Sequence, residues 1–178
     1  VWYHYSVGSA KDVDTAIATA KKAQEKWSGL TIEERTAILF KAAEVMAKAT
    51  TETLAVMSRD AGKTVAEADP EVAEAIDFAR FYATTAQNFG ESTPLGTILV
   101  VPPWNFPYAI PMGGVCAALA AGNTVILKPA PETVATAWEI VSHLWAGGVP
   151  QDVLQFLPMR DDENGKYLVT NSGIDGLI

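Results

Sequence analysis

The sequence has a single cysteine, Cys116, and only two histidines, His4 and His143, among its 178 residues. One cysteine excludes an intrachain disulfide and suits a reducing compartment, so a cytoplasmic location is expected. Two histidines far apart in the chain, with no neighbouring cysteine, give a zinc site no support, and no metal centre is expected. Neither G-x-G-x-x-G nor G-x-x-x-x-G-K-[ST] occurs, so the usual dinucleotide fingerprint and the P-loop are both missing. Basic residues are scarce as well. Thirteen Lys and Arg stand against 21 Asp and Glu, for a net charge of -8 and a pI of about 4.7. A net anion is a poor match for a nucleic-acid backbone or an anionic membrane surface, and neither partner is expected. The opening Val1-Trp2-Tyr3-His4 carries no basic stretch before an apolar one, so no signal peptide is read. Without an initiator Met, the chain reads as a piece cut from something longer.

The composition is 49% hydrophobic and 19% charged, enough for a sizeable core in one domain or slightly more. The two halves differ in texture. Residues 1–90 hold 13 acidic and 10 basic side chains in long helical patterns, whereas residues 91–178 hold 8 and 3 and alternate short apolar runs with helices. A boundary near Gly90–Pro94 is therefore expected, with a helical region at 1–90 and a cofactor-binding region at 91–178.

Four helices are expected in the first half. Ser9 with Asp12, and Thr31 with Glu34, have capping-box spacing, the first opening a helix through about Lys26. Ile38, Ala42, Val45 and Met46 then form one apolar stripe. Leu54, Met57 and Ala61 mark a short third helix ended by Gly62. Asp69-Pro70 looks like a cap followed by proline at the first helical position, opening a fourth helix through Val72, Ile76 and Ala79.

The second half changes period. Thr97–Val101, Thr124–Leu127 and Leu154–Leu157 are apolar runs of buried-strand type, and Ile174–Ile178 resembles a fourth strand cut off by the chain end. Helices at 107–121, around Trp138–Trp145 and near 163–170 lie between them. Alternation of strand and helix with short links predicts an α/β fold, a parallel sheet built from right-handed crossovers. No residue from Ser92 to Leu127 is charged, but Pro102, Pro103, Pro107 and Pro111, with Asn105 and Gly122-Asn123, interrupt that stretch, so membrane insertion is not expected.

Two loops place unusual chemistry at the carboxyl end of an expected parallel strand, where such sheets bind ligands. In Pro102-Pro103-Trp104-Asn105-Phe106-Pro107 the prolines stiffen a turn carrying one amide side chain between aromatics. Asn105 either donates to an oxygen on which negative charge develops or satisfies the turn's own backbone. In Lys128-Pro129-Ala130-Pro131-Glu132-Thr133, the lysine either reaches ribose hydroxyls or a phosphate or is simply solvated, and Thr133 is placed to cap the next helix. Cys116, inside an uncharged helix without a nearby cation, reads as a small core hydrophobe.

Pro103-Trp104-Asn105-Phe106-Pro107, then Ala118-Leu119-Ala120-Ala121-Gly122-Asn123-Thr124-Val125, then Lys128-Pro129-Ala130, in that order and spacing, resemble the aldehyde dehydrogenase superfamily. Asp60-Ala61-Gly62-Lys63 and Glu74–Tyr82 resemble its N-terminal helices. Glu67–Val72 with Leu157-Pro158 and Gly165 look most like the glutamate-γ-semialdehyde (1-pyrroline-5-carboxylate) dehydrogenases, including the dehydrogenase module of bifunctional proline-utilisation proteins. The resemblance implies N-terminal helices packed on a Rossmann-like parallel sheet, with NAD as cofactor and NADP as the second choice. It also implies an aldehyde substrate and a parent protein that is a homo-oligomer or is fused to a proline dehydrogenase module.

By the same resemblance Asn105 helps hold an oxyanion and Pro103 and Trp104 lie beside the nicotinamide. Lys128, with Pro129, Ala130 and Pro131 around it, bonds the adenosine ribose, and Gly165 lies near the adenine. Three departures stand out. Pro131 replaces a ribose-binding glutamate, with Glu132 one position later. The chain is short between Tyr82 and Pro103, where the family usually inserts a strand pair. The family's nucleophilic cysteine and general-base glutamate lie beyond the matching segment, so the isolated chain is expected to be inactive. A non-catalytic cofactor-binding or assembly module is the alternative reading.

Overall fold

The computed structural model describes residues 2–89 and 93–178. Most of the expected boundary at Gly90–Pro94 lies outside them, and that division stays a proposal. Among the described residues seven helices and four strands follow in the order α1 (Ala10–Ser28), α2 (Ile32–Lys48), α3 (Thr50–Asp60), α4 (Val65–Phe89), β1 (Thr97–Val100), α5 (Ala109–Ala120), β2 (Thr124–Leu127), α6 (Val134–Gly147), β3 (Leu154–Phe156), α7 (Glu163–Val169) and β4 (Gly176–Leu177). Among the described residues no helix is long and apolar enough to cross a membrane.

The four strands form one parallel sheet in the order β3-β2-β1-β4, with Thr97 to Val100 of β1 in register with Thr124 to Leu127 of β2. Side chains alternate across it. Ile98, Val100, Val125 and Leu127 face a large core formed with α2, α4, α5 and α6, while Leu99 and Ile126 face a smaller one formed with Val13, Ile17 and Leu168 of α1 and α7. Both faces are covered by helices, which is why these strands read as continuous apolar runs rather than alternating ones.

The link from α5 to β2 explains its sequence. Gly122 takes φ +85°, where a Cβ would be strained and would also sit 3.0 Å from Pro94 Cγ. Asn123 Oδ1 accepts the amides of Leu95 at 2.7 Å and Gly96 at 3.0 Å, while Gln24 of α1 bonds Gly122 O and Thr124 N. This short segment thereby fixes the entry to both central strands. At the end of α6, Gly148 stops the helix at φ +114°, and Gly147 lets it lie on α2, with the site of an absent Cβ 2.8 Å from Ala42 N.

Several sequence expectations are corrected. Helix α4 starts at Val65, not after Asp69, because Glu67 accepts both the amide and the hydroxyl of Thr64 and so caps the earlier turn. Pro70 lies inside that helix. The donor it lacks would have bonded the carbonyl of Ala66, an exposed residue where water can take its place. The buried face of α2 centres on Leu39, Ala42, Ala43 and Met46, with Ile38 and Val45 only half-buried. Thr133 makes no side-chain cap on α6; Asp60 of α3 accepts Thr136 N at 2.8 Å and Thr136 Oγ1 at 2.9 Å instead. Strand β4 is two residues long rather than five, and β1 and β3 each end one residue early.

Candidate functional site

Parallel pairing of β1 and β2 delivers the two singled-out loops side by side at the carboxyl edge of the sheet. Lys128 N donates to Val100 O at 2.9 Å, so the second loop begins hydrogen-bonded to the strand that launches the first.

The first loop ends at the N-terminus of α5, which needs acceptors for its free amides. A buried carboxylate on α4 supplies them: Glu71 Oε1 accepts Tyr108 N at 2.8 Å and Ala109 N at 3.1 Å. Its other oxygen pairs with Lys63 Nζ, and that ammonium lies 4.6 Å from the centroid of the Phe106 ring. Helix α5 and its preceding turn are thus held by α4, so Asn105 is not needed to satisfy those amides. Trp104, Asn105 and Phe106 are all exposed and line a cavity of about 430 Å³ with Gly62, Lys63 and Pro70. Asn105 thus stands between Trp104 and Phe106 at the open wall of a cleft. Pro103 is also exposed.

The second loop borders a separate cavity of about 450 Å³, lined by Val101, Lys128, Asp161, Gly165 and Lys166 among others. The Lys128 side chain is 5% exposed and its Nζ donates to Asp161 Oδ1 at 2.8 Å; Asp161 is 75% exposed. Asp162 accepts the amides of Asn164 and Gly165, capping α7 and shaping this wall. The structure therefore brings Lys128 together with Gly165, and Trp104 together with Asn105, in two neighbouring clefts. Pro129 is buried, Ala130 and Pro131 are half-buried, and none of them is among the described lining residues.

Sequence reasoning missed Glu71 and Asp161 as site-forming groups. Each meets its partner across more than thirty residues of chain, and no local spacing marks such a pair.

Cys116 is fully buried, and desolvation pushes its thiol up to about 12. His143 is buried too, with Nδ1 2.9 Å from Tyr108 Oη and Nε2 3.6 Å from Glu139. Burial lowers its pKa and, acting on a carboxyl, raises that of Glu139. Among the described residues no group of three or more His, Cys, Asp or Glu is arranged to hold a metal.

The pattern of the aldehyde dehydrogenase family matches residues 1–178. The chain is 36% identical over 179 residues to a 1-pyrroline-5-carboxylate dehydrogenase of Staphylococcus haemolyticus, covering 92% of this chain and 35% of that one. It is 37% identical over 171 residues to the bifunctional protein PutA of Escherichia coli, covering 94% of this chain and 13% of that one. A crystal structure of 1-pyrroline-5-carboxylate dehydrogenase from Thermus with bound NAD superposes with a TM-score of 0.92 at 34% identity, over 97% of this chain and 36% of that one. The chain spans about a third or less of the length of these relatives.

Proposed function

The chain belongs to the aldehyde dehydrogenase family, and from that premise we propose that it forms the N-terminal, cofactor-side part of an NAD-dependent enzyme oxidising L-glutamate γ-semialdehyde to glutamate in proline catabolism. The observation that carries the reading is the pair of clefts at the carboxyl ends of β1 and β2, one bearing Asn105 and the other Lys128. The 1-pyrroline-5-carboxylate dehydrogenase relatives support the choice of aldehyde, and the NAD-bound neighbour supports the cofactor.

The residues present suit a dinucleotide. Lys128 offers a donor and Asp161 an acceptor to ribose hydroxyls, and Gly165 keeps the wall behind them free of side chain. Pro103 and Trp104 would lie beside the nicotinamide, which takes up the hydride when bound. Asn105 donates its amide N–H to the aldehyde oxygen as charge grows there, from a turn that Glu71 and Lys63 already hold in place. The thiolate that attacks the aldehyde and the carboxylate that activates water come from the remainder of the parent enzyme; Cys116 is too deeply buried to attack. The parent acts in the cytoplasm, as a homo-oligomer or fused to a proline dehydrogenase module as the PutA relatives suggest.

The test is to assay the complete parent protein for NAD reduction with glutamate γ-semialdehyde against acetaldehyde and other simple aldehydes. Clear preference for the semialdehyde supports the reading, and absence of NAD reduction with any aldehyde removes it.

A further inference from the structure

The carboxylate that would grip a ribose from the lysine loop is missing, since position 131 is proline and Glu132 is an exposed residue that is not among the described lining of the Lys128 cleft. Another acid stands there. Asp161, arriving from the loop after β3, faces Lys128 Nζ at 2.8 Å. The lysine is fixed, being almost wholly buried along its stem, while its partner is largely open to the cavity. Gly165 completes this corner: a Cβ there would collide with the carbonyl of Arg160 and lie 3.8 Å from Lys128 Cε.

A neutral vicinal diol suits this pair, because one hydroxyl can accept from the ammonium while the same or the next one donates to the carboxylate. A phosphate on that diol suits it badly. The Lys128 charge is already neutralised by Asp161, and Asp162 and Glu163 outnumber Lys166 among the other charged groups of the lining, so a dianion meets a site of net negative charge. Position agrees with chemistry, because acidic groups in the crevice outside the carboxyl ends of parallel strands bind the ribose 2′-hydroxyl.

We propose that Asp161, paired with Lys128, is the specificity-determining carboxylate of this cleft and selects an adenosine nucleotide with a free 2′-hydroxyl over one phosphorylated there, and hence NAD over NADP. This rests on the reading of the cleft as the adenosine-ribose seat. The experiment separates the two claims by titrating the full 178-residue chain with 5′-AMP and with adenosine 2′,5′-bisphosphate by calorimetry. The unmodified chain is expected to bind 5′-AMP on the order of tenfold more tightly. Asp161→Asn should close that gap to about twofold. Asp162→Asn removes a neighbouring charge but keeps a side chain able to cap α7, and should narrow the preference less than Asp161→Asn does, because only Asp161 meets Lys128 Nζ. Lys128→Met should weaken both nucleotides. Equal binding of the two nucleotides by the unmodified chain, or equal loss of preference in Asp161→Asn and Asp162→Asn, would overturn the role of Asp161 and leave the seat intact. Binding of 5′-AMP that Lys128→Met does not change would overturn the seat itself. Circular dichroism of each variant confirms the fold, which substitutions at exposed Asp161 and Asp162 should not disturb.

Discussion

Glu71 of α4 accepts the backbone amide of Tyr108 at 2.8 Å, so one helix of the N-terminal half caps a helix of the sheet-bearing half from outside. Asp60 does the same for α6 through Thr136. In each case a long-range carboxylate replaces the local Ser, Thr or Asp that usually caps a helix, and it ties the helices to the loops that leave the sheet.

Glu71→Ala should therefore cost more than an ordinary cap. Two buried amides lose their acceptor and Lys63 loses its partner, for about 2–4 kcal/mol in denaturant midpoint analysis at constant slope. Glu71→Gln keeps an oxygen acceptor but not the charge and should lose about half as much. Equal stability of Glu71→Ala and the unmodified chain would show that water replaces the cap without penalty.

Asn105→Ala should behave in the opposite way. The residue is exposed and the turn is held by others, so stability should change by less than about 0.5 kcal/mol. In the complete enzyme, turnover should fall by about 10²–10³ with cofactor affinity little changed, as expected for a donor used only when the oxyanion forms. Parallel losses in turnover and in cofactor affinity would assign Asn105 to binding instead.

The strands and their order of appearance are readable from the sequence because burial on both faces leaves a plain apolar run, and Gly122-Asn123 and Gly147-Gly148 mark the turns where left-handed backbone is required. The start of α4 misleads because Asp69-Pro70 is a strong local signal, whereas Thr64 and Glu67, three residues apart, have the same spacing as the caps of the first two helices and bond through the Glu67 carboxylate. The stripe of α2 is displaced by a residue because Ile38 and Leu39 are equally apolar and only the packing against α4 and α6 tells them apart. Of the site, Asn105 and Lys128 are visible through their stiff, proline-rich loops. Glu71, Asp60 and Asp161 are not, since their partners lie 37, 76 and 33 residues away and pairing at such distance is set by tertiary structure alone.

The His143 environment predicts a measurable pH dependence. Burial depresses the imidazole pKa, with Tyr108 on one ring nitrogen and Glu139 near the other, and Glu52 opposing weakly from α3. The unfolded chain takes up its proton near pH 6.5 and the folded chain only at lower pH, so stability should decline as pH falls below about 6.5 and level off under the native value. Glu139 has the reverse sense: its raised pKa means stability declines as pH rises above about 4.5 through the native value. His143→Gln, which can still accept from Tyr108, should abolish the first slope and keep the second. An unchanged profile in thermal melts from pH 5 to 8 would place the titration elsewhere.

Cys116 gives the sharpest check on where the chemistry resides. Its thiol is fully buried with Met112 Sδ 3.6 Å away and, among the described residues, no cation beside it, and desolvation raises its pKa to about 12. The thiolate fraction at neutral to mildly alkaline pH is then far below that of an exposed cysteine. Native chain should react with a thiol reagent only as fast as it opens, with labelling accelerating sharply once denaturant unfolds it. The same burial predicts that the isolated chain oxidises no aldehyde with NAD and that Cys116→Ala leaves this blank rate unaltered. Prompt labelling of the folded chain, or NAD reduction that disappears in Cys116→Ala, would move the nucleophile into this part of the enzyme.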